Sequence, residues 1–279
     1  MFDQFIEPGI PAVVFWVFVG LGIIVQGISK SGFAGGVGVL TIPLMMLVMP
    51  VDRVVACLLP LLILLDLNAI YHHRYNKVWK RIFEIYIPAC VGILIGSAVW
   101  WWIGREGVAV YAVPIKRFVG VVAILFACYI FSKERAMAWA TRFRTGPRTA
   151  WGVGLASGFT STIAHAAGPI VSFYMFAQGM GKTLFVGTTA WTFTLINLTK
   201  LPFYVAVGLV TTEILMFDLV LIWLIPIGSY LGKWMHDRIS EKSFNRVIMV
   251  LVFLAGFQLI TNTNLVLWAL RNLVEPIVQ

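Results

Sequence analysis

Long apolar runs separated by short polar loops make up almost the whole chain. Runs long enough to cross roughly 30 Å of hydrocarbon as helices recur along the sequence, and strand-like alternation is absent. Eight of the predicted segments are long and two are short, so we expect an all-α polytopic membrane protein. The predicted segments are 11–29, 34–49, 54–72, 82–103, 117–132, 149–165, 168–180, 184–207, 213–232 and 247–268.

Composition and charge agree with this interpretation. The chain is 60% hydrophobic and 12% charged, whereas soluble domains carry about 25% charged residues. Thirteen of the 21 Lys and Arg residues fall in loops 73–81, 132–148 and 233–246. Basic loops favour the cytoplasm, so both termini are predicted outside. Because topology accounts for the net charge of +9, we expect no nucleic-acid partner.

The two halves of the sequence look like copies of one unit. GISKSGFAGGVGVLTIPLM in the first half corresponds to GFTSTIAHAAGPIVSFYMF about 130 residues later. Each half holds five segments, and an odd number places the second copy in the opposite orientation. We therefore predict a first inverted repeat over 1–135, a linker over 136–148 and a second repeat over 149–279. Inverted repeats are typical of secondary transporters, whose binding sites lie at interrupted helices near the bilayer midplane.

The first short segment begins with glycines, and a lysine between two serines lies just before it, at the predicted hairpin bend. The glycines fit either close helix packing or a backbone cradle for an anion. The lysine fits either snorkelling to the cytoplasmic surface or attraction of an anion. The candidate substrate-binding residues here are Ser29, Lys30, Ser31, Gly35 and Gly36.

A lysine and an acid also lie inside apolar segments. Lys200 has Asn197 three residues before it and Tyr204 four residues after it, so these three side chains share one helix face. Asp66 lies near the matching position of the first half. Two interpretations stay open: an Asp66–Lys200 ion pair that ties the halves together, or a lysine that neutralises a substrate while the acid supports coupling.

The second short segment follows hydroxyl residues and a histidine in TSTIAHAAGP. His165 fits either a hydrogen-bonded packing role or a titrating group that links transport to protons. The candidate substrate-binding residues of this half are Ser161, Thr162, His165, Asn197, Lys200 and Tyr204, and the coupling candidates are Asp66 and His165.

Other chemistry is not expected. Cys57, Cys90 and Cys128 lie in apolar runs without metal-ligand spacing, so no metal and no cofactor are predicted. No nucleophile elbow, paired-histidine motif or pair of catalytic carboxylates is visible, so we expect no enzyme. The three tryptophans at 100–102 are predicted to form part of the outer aromatic belt.

At these residues the chain resembles the TauE/SafE family of bacterial membrane proteins, the sulfite exporters. The resemblance rests on GFAGGVGVLTIPLM, on LLPLLILLDLNA around Asp66, and on GFTSTIAHAAGPIVSFYMFAQGMGKTLFVGTTAWTFTLINLTKLPFYVAVGL. It implies movement of small sulfur-containing anions across the bacterial cytoplasmic membrane. One departure is HAAGP, where many relatives keep a second glycine-rich run and this chain has Ala166 and Ala167.

The segment pattern predicts a secondary transporter for a small anion. The resemblance implies the export direction and the substrate class, which is sulfite, an organosulfonate or a related small oxoanion or carboxylate. Alternating access would act at the two hairpin tips. The alternatives are an uncoupled anion channel, and less favoured, a membrane scaffold or an intramembrane enzyme. The expected partners are a small anion, membrane lipid and a second copy of the chain in a homodimer.

Overall fold

The computed structural model describes residues 2–32, 38–131, 146–238, 241–263 and 268, and the regular elements within these ranges are all helical. Short 3-10 turns cover Asp3–Phe5 and Gly38–Leu40. The α-helices are α1 (Ala12–Gly32), α2 (Thr41–Met45), α3 (Val51–His73), α4 (Trp79–Glu106), α5 (Val108–Phe131), α6 (Pro147–Ala164), α7 (Gly168–Ala177), α8 (Lys182–Ala206), α9 (Thr212–Leu221), α10 (Leu224–Arg238) and α11 (Glu241–Thr261).

The helices that are long and apolar enough to cross a membrane confirm the membrane class. Within the described ranges four helices meet this test by themselves: α1, α3, α4 and α5. A fifth span results if α9 and α10, which are bent by 43° at a short break, are taken together. The eight long spans expected from the sequence therefore remain a prediction.

The loop predicted over 104–116 is wrong. Helix α4 continues to Glu106, Gly107 turns the chain with a φ of 99°, and α5 begins at Val108. Pro114 and Lys116 made this stretch look like a loop. In the structure both residues are helical, and the Lys116 ammonium pairs with the Glu7 carboxylate at 2.8 Å.

The segment predicted over 213–232 also differs, because it is divided between α9 and α10. Helices α10 and α11 extend through most of the predicted basic loop 233–246. The basic residues therefore indicated where the apolar run ends, but the helices continue beyond that point. Most of the predicted linker, 136–145, lies outside the described residues, and α6 begins with Pro147 after an extended Gly146.

Four helix pairs form the main contacts of the bundle: α4 with α6, α1 with α10, α5 with α11, and α3 with α8. Glycines permit some of these helices to approach very closely. A Cβ atom added to Gly158 of α6 would lie 2.0 Å from the Ala89 carbonyl oxygen of α4. This contact fixes the C-terminal turns of α6 against α4, and those turns carry the candidate residues Ser161 and Thr162.

Candidate functional site

Helix α6 ends abruptly at His165, and this break organises the candidate site. His165 is left-handed, with φ 47° and ψ 28°, and its N–H donates to the Ser161 carbonyl at 2.9 Å. A left-handed backbone costs a side chain other than glycine about 1–2 kcal/mol. Helix α7 then begins at Gly168, so the chain is broken within the stretch that the sequence marked as the second hairpin tip.

The His165 ring is held by both of its nitrogens. Its Nε2 atom lies 2.8 Å from the Val55 carbonyl oxygen of α3, and its Nδ1 atom lies 3.0 Å from the Lys200 ammonium. A carbonyl oxygen can only accept, so Nε2 carries the hydrogen. Nδ1 then accepts from Lys200, which identifies the ring as the neutral Nε2–H tautomer. The ring therefore joins α3, α6 and α8 at one point.

Lys200 is completely buried and has neutral partners. Its ammonium donates to the Ser161 hydroxyl at 2.9 Å, to the Ser161 carbonyl at 3.1 Å and to the His165 ring. The carbonyl belongs to the last turn of α6, where the helix dipole presents partial negative charge. Among the described residues no carboxylate forms an ion pair with Lys200.

Asp66 forms its ion pair with Lys30 and not with Lys200. Its side chain is fully buried, one carboxylate oxygen pairs with the Lys30 ammonium, and the other accepts from the Asn197 amide at 2.6 Å. The structure therefore departs from the interpretation in which Asp66 pairs with Lys200. Lys30 is only 17% exposed and lies 5.2 Å from the centre of the Phe193 ring, so it points inward rather than snorkelling to the surface.

One face of α8 connects these groups. Phe193, Asn197, Lys200 and Tyr204 follow one another at helical spacing. They contact Lys30 of α1, Asp66 of α3 and the last turn of α6. The Tyr204 hydroxyl donates to the Thr162 carbonyl at 2.5 Å. The structure thus brings Lys30, Asp66, Ser161, His165, Asn197 and Lys200 together along this face.

Trp100 contacts the same region, and the sequence prediction for it is wrong. Its indole N–H donates to the Thr162 carbonyl at 2.9 Å, and its side chain is only 2% exposed. Trp101 and Trp102 are 54% and 47% exposed, as an aromatic belt requires. Trp100 lies four and eight residues after Gly96 and Gly92, on the face of α4 that contacts α6, and this periodicity could have identified it.

The first hairpin is described only in part. Gly35 and Gly36 lie outside the described residues, and the side chain of Ser31 does as well. The Ser29 hydroxyl accepts from the Gly38 N–H at 2.7 Å. A Cβ atom on Gly38 would lie 2.4 Å from Gln26 Oε1, so Gln26 closes tightly over this turn. Gln26 was not among the predicted site residues, although a polar residue inside an apolar run was a visible signal.

Asp218 is a second buried acid and was not among the predicted site residues. It is 5% exposed, and neither carboxylate oxygen has an N–H or O–H partner among the described residues. The Cys57 thiol, a weak donor, is its polar neighbour. An acid inside the apolar run 213–232 was the available signal. Within the described ranges, no group of three or more His, Cys, Asp or Glu residues could hold a metal ion.

Comparison with known proteins identifies the family. The family model described as Sulfite exporter TauE/SafE matches residues 18–259, a range that contains all the candidate residues. Comparisons with curated proteins and with solved structures return no match. The family match covers most of the chain and confirms the resemblance drawn from its glycine-rich and Asn-Leu-Thr-Lys motifs. The chain therefore belongs to the TauE/SafE family of sulfite exporters, a family of membrane transporters.

Proposed function

We propose that this protein is a secondary transporter that exports a small anion, either sulfite, an organosulfonate or a related oxoanion or carboxylate. The observation that carries the proposal is Lys200, a completely buried ammonium whose contacts are a hydroxyl, a carbonyl and an imidazole. A charged side chain inside a membrane is costly and commonly marks a substrate pathway. The present partners of Lys200 are neutral and stabilise its ammonium only weakly. An anion that enters beside Lys200 would therefore be attracted more strongly than these partners are.

The break between α6 and α7 offers further donors to such an anion. The Ser161 hydroxyl lies beside Lys200, and the N-terminus of α7 presents backbone N–H groups and partial positive charge. A Cβ atom added to Gly168, the first residue of α7, would meet no atom within 4 Å. This space supports a small ligand close to the α7 backbone, despite the alanines that precede it. The first hairpin would contribute Ser29, Lys30, Ser31, Gly35 and Gly36.

Burial of the site supports alternating access over a continuously open channel. Lys200, Ser161 and Asn197 are 0%, 4% and 5% exposed. An ion can reach these side chains only if helices move, as they do when one repeat rocks against the other. The uncoupled channel, the scaffold and the intramembrane enzyme remain the alternatives. His165 and Asp66 are the proposed coupling groups.

The helix pairing supports two inverted repeats over 1–135 and 149–279. Helix α4, the fourth segment of the first half, packs on α6, the first segment of the second. The reciprocal pair is α10 on α1, while α3 packs on α8 and α5 on α11. A pseudo-two-fold axis would produce this reciprocity. Gly120 and Gly256 contact each other across α5 and α11, where a Cβ on either would lie 2.5 Å or 2.9 Å from the other's carbonyl oxygen.

The proposal places the protein in the bacterial cytoplasmic membrane with both termini outside. The test is to reconstitute the purified protein in liposomes and to measure the flux of labelled sulfite. Lys200→Met should reduce the flux at least tenfold, whereas Lys80→Met, which alters an exposed lysine, should leave it unchanged. Equal flux in the two variants would contradict the proposal. Acceleration of efflux by external sulfite would identify alternating access, and ionic currents without this acceleration would identify a channel.

A further inference from the structure

The charged groups along the α8 face do not balance one another. Lys30 and Asp66 form an ion pair, and Asn197 donates to the same carboxylate. Lys200 lies on the next turn of α8. His165 beside it is neutral because its Nδ1 atom accepts from the Lys200 ammonium, while Nε2–H faces the Val55 carbonyl. Two ammonium groups and one carboxylate leave one positive charge in excess.

Other acids of the described structure do not remove this excess. Asp218 lies beside Cys57, Glu84 pairs with Arg81 and accepts from Tyr174, and Glu7 pairs with Lys116. Asp66 and its partner Lys30 are joined to the α8 face through Asn197, three residues before Lys200. The excess therefore belongs to a buried cluster in which electrostatic interactions are weakly screened.

A ligand with one negative charge would neutralise the cluster. A ligand with two negative charges would change the net charge of the cluster from plus one to minus one. The complex would then bury one negative charge, with a similar desolvation penalty. We infer that the site selects monovalent oxoanions over divalent ones of the same head group. This inference rests on the proposed function, which it deepens by assigning the charge of the transported species.

The test compares two organosulfonates that share a head group and a two-carbon chain. Isethionate carries the sulfonate charge alone, whereas sulfoacetate carries a second charge on its carboxylate. In liposomes containing the wild-type protein, labelled isethionate should move at least tenfold faster than labelled sulfoacetate at equal concentration. A tenfold ratio corresponds to about 1.4 kcal/mol.

Variants that change the charge of the cluster test whether its net charge, and not the shape of the site, determines the selectivity between the two probes. Asp66→Asn raises the excess to two positive charges and should shift the isethionate-to-sulfoacetate ratio towards sulfoacetate at least tenfold. Lys30→Gln removes the excess and should reduce isethionate flux at least tenfold. The double variant Lys30→Gln/Asp66→Asn restores a single positive charge. Its isethionate-to-sulfoacetate ratio should therefore return to the wild-type value, and its isethionate flux should exceed that of Lys30→Gln.

The double variant is also the control for folding, because both side chains remain polar and similar in size. If Asp66→Asn does not fold, the comparison of isethionate flux between Lys30→Gln and the double variant still tests the effect of net charge. Equal wild-type flux of the two probes, or a normally folded double variant whose isethionate-to-sulfoacetate ratio differs tenfold from that of the wild type, would overturn the inference while anion transport stands. A wild-type protein that moves neither these probes nor sulfite would overturn the proposed function and this inference with it.

Discussion

Gly158 provides a test of the packing that positions the site, because it lies where α6 touches α4. The perturbation is Gly158→Ala, which adds a single Cβ atom. That atom would lie 2.0 Å from the Ala89 carbonyl oxygen and 2.7 Å from the Ala89 carbonyl carbon. Gly152 on the same helix is the matched control, since a Cβ atom there meets no atom within 4 Å.

The magnitude follows from these distances. Cβ atoms essentially never approach another atom within 3.0 Å, so the added atom requires a shift of at least 1.0 Å from its 2.0 Å position. The obstacle is backbone, so the helices themselves must separate. Overpacking of this kind costs about 1–3 kcal/mol. Gly152→Ala should instead stabilise the helix by roughly 0.5–1 kcal/mol, because glycine is the poorer helix former.

Thermal unfolding in detergent, followed by tryptophan fluorescence, measures both variants. The two substitutions should move the unfolding midpoint in opposite directions, by about 2–4 °C for each kcal/mol. Separation of α6 from α4 also displaces Ser161 from Lys200, so Gly158→Ala should reduce anion flux while Gly152→Ala should not. If Gly158→Ala were as stable and as active as Gly152→Ala, the close α4–α6 contact would be refuted.

Three further substitutions test individual contacts of the site. Asp66→Ala should destabilise the protein by about 3 kcal/mol, because it leaves Lys30 partly buried without its partner, and a double-mutant cycle of SDS unfolding with Lys30→Met should be non-additive. His165→Gly should relieve the left-handed backbone and keep the unfolding midpoint close to wild type, yet lower sulfite flux. Tyr204→Phe should cost about 1 kcal/mol in the same unfolding assay and retain sulfite flux, because the Thr162 carbonyl keeps an indole N–H donor.

The site residues on α8 could be predicted because their signal is local. Helical spacing alone places Asn197, Lys200 and Tyr204 on one face, and a charge inside an apolar segment indicates function. The break before α7 was also local, since Gly168 and the proline after it interrupt a short apolar run. The structure has a helix over Lys182–Ala206 and a break at 165–167, where this reasoning expected them.

The pairing of charges could not be predicted because it depends on how the helices pack. Lys30 and Asp66 are 36 residues apart, and Asn197 is 131 residues from Asp66. Hydropathy assigns each residue to a segment but does not fix the rotation of one helix against another. The one-residue turn at Gly107 was missed for a different reason. Prolines and charges, which end helices in soluble proteins, are tolerated in membrane helices whose neighbours satisfy the backbone.

We expect the transported anion to bind at Lys200, beside the break in α6. The test is a crystal structure of the protein crystallised in the presence of selenite, because anomalous scattering then locates the selenium atom. We expect a selenium position within about 4 Å of Lys200 Nζ, with selenite oxygens accepting from that ammonium and from Ser161 Oγ. A selenium position elsewhere, with Lys200 still bonded to Ser161 and His165, would contradict it.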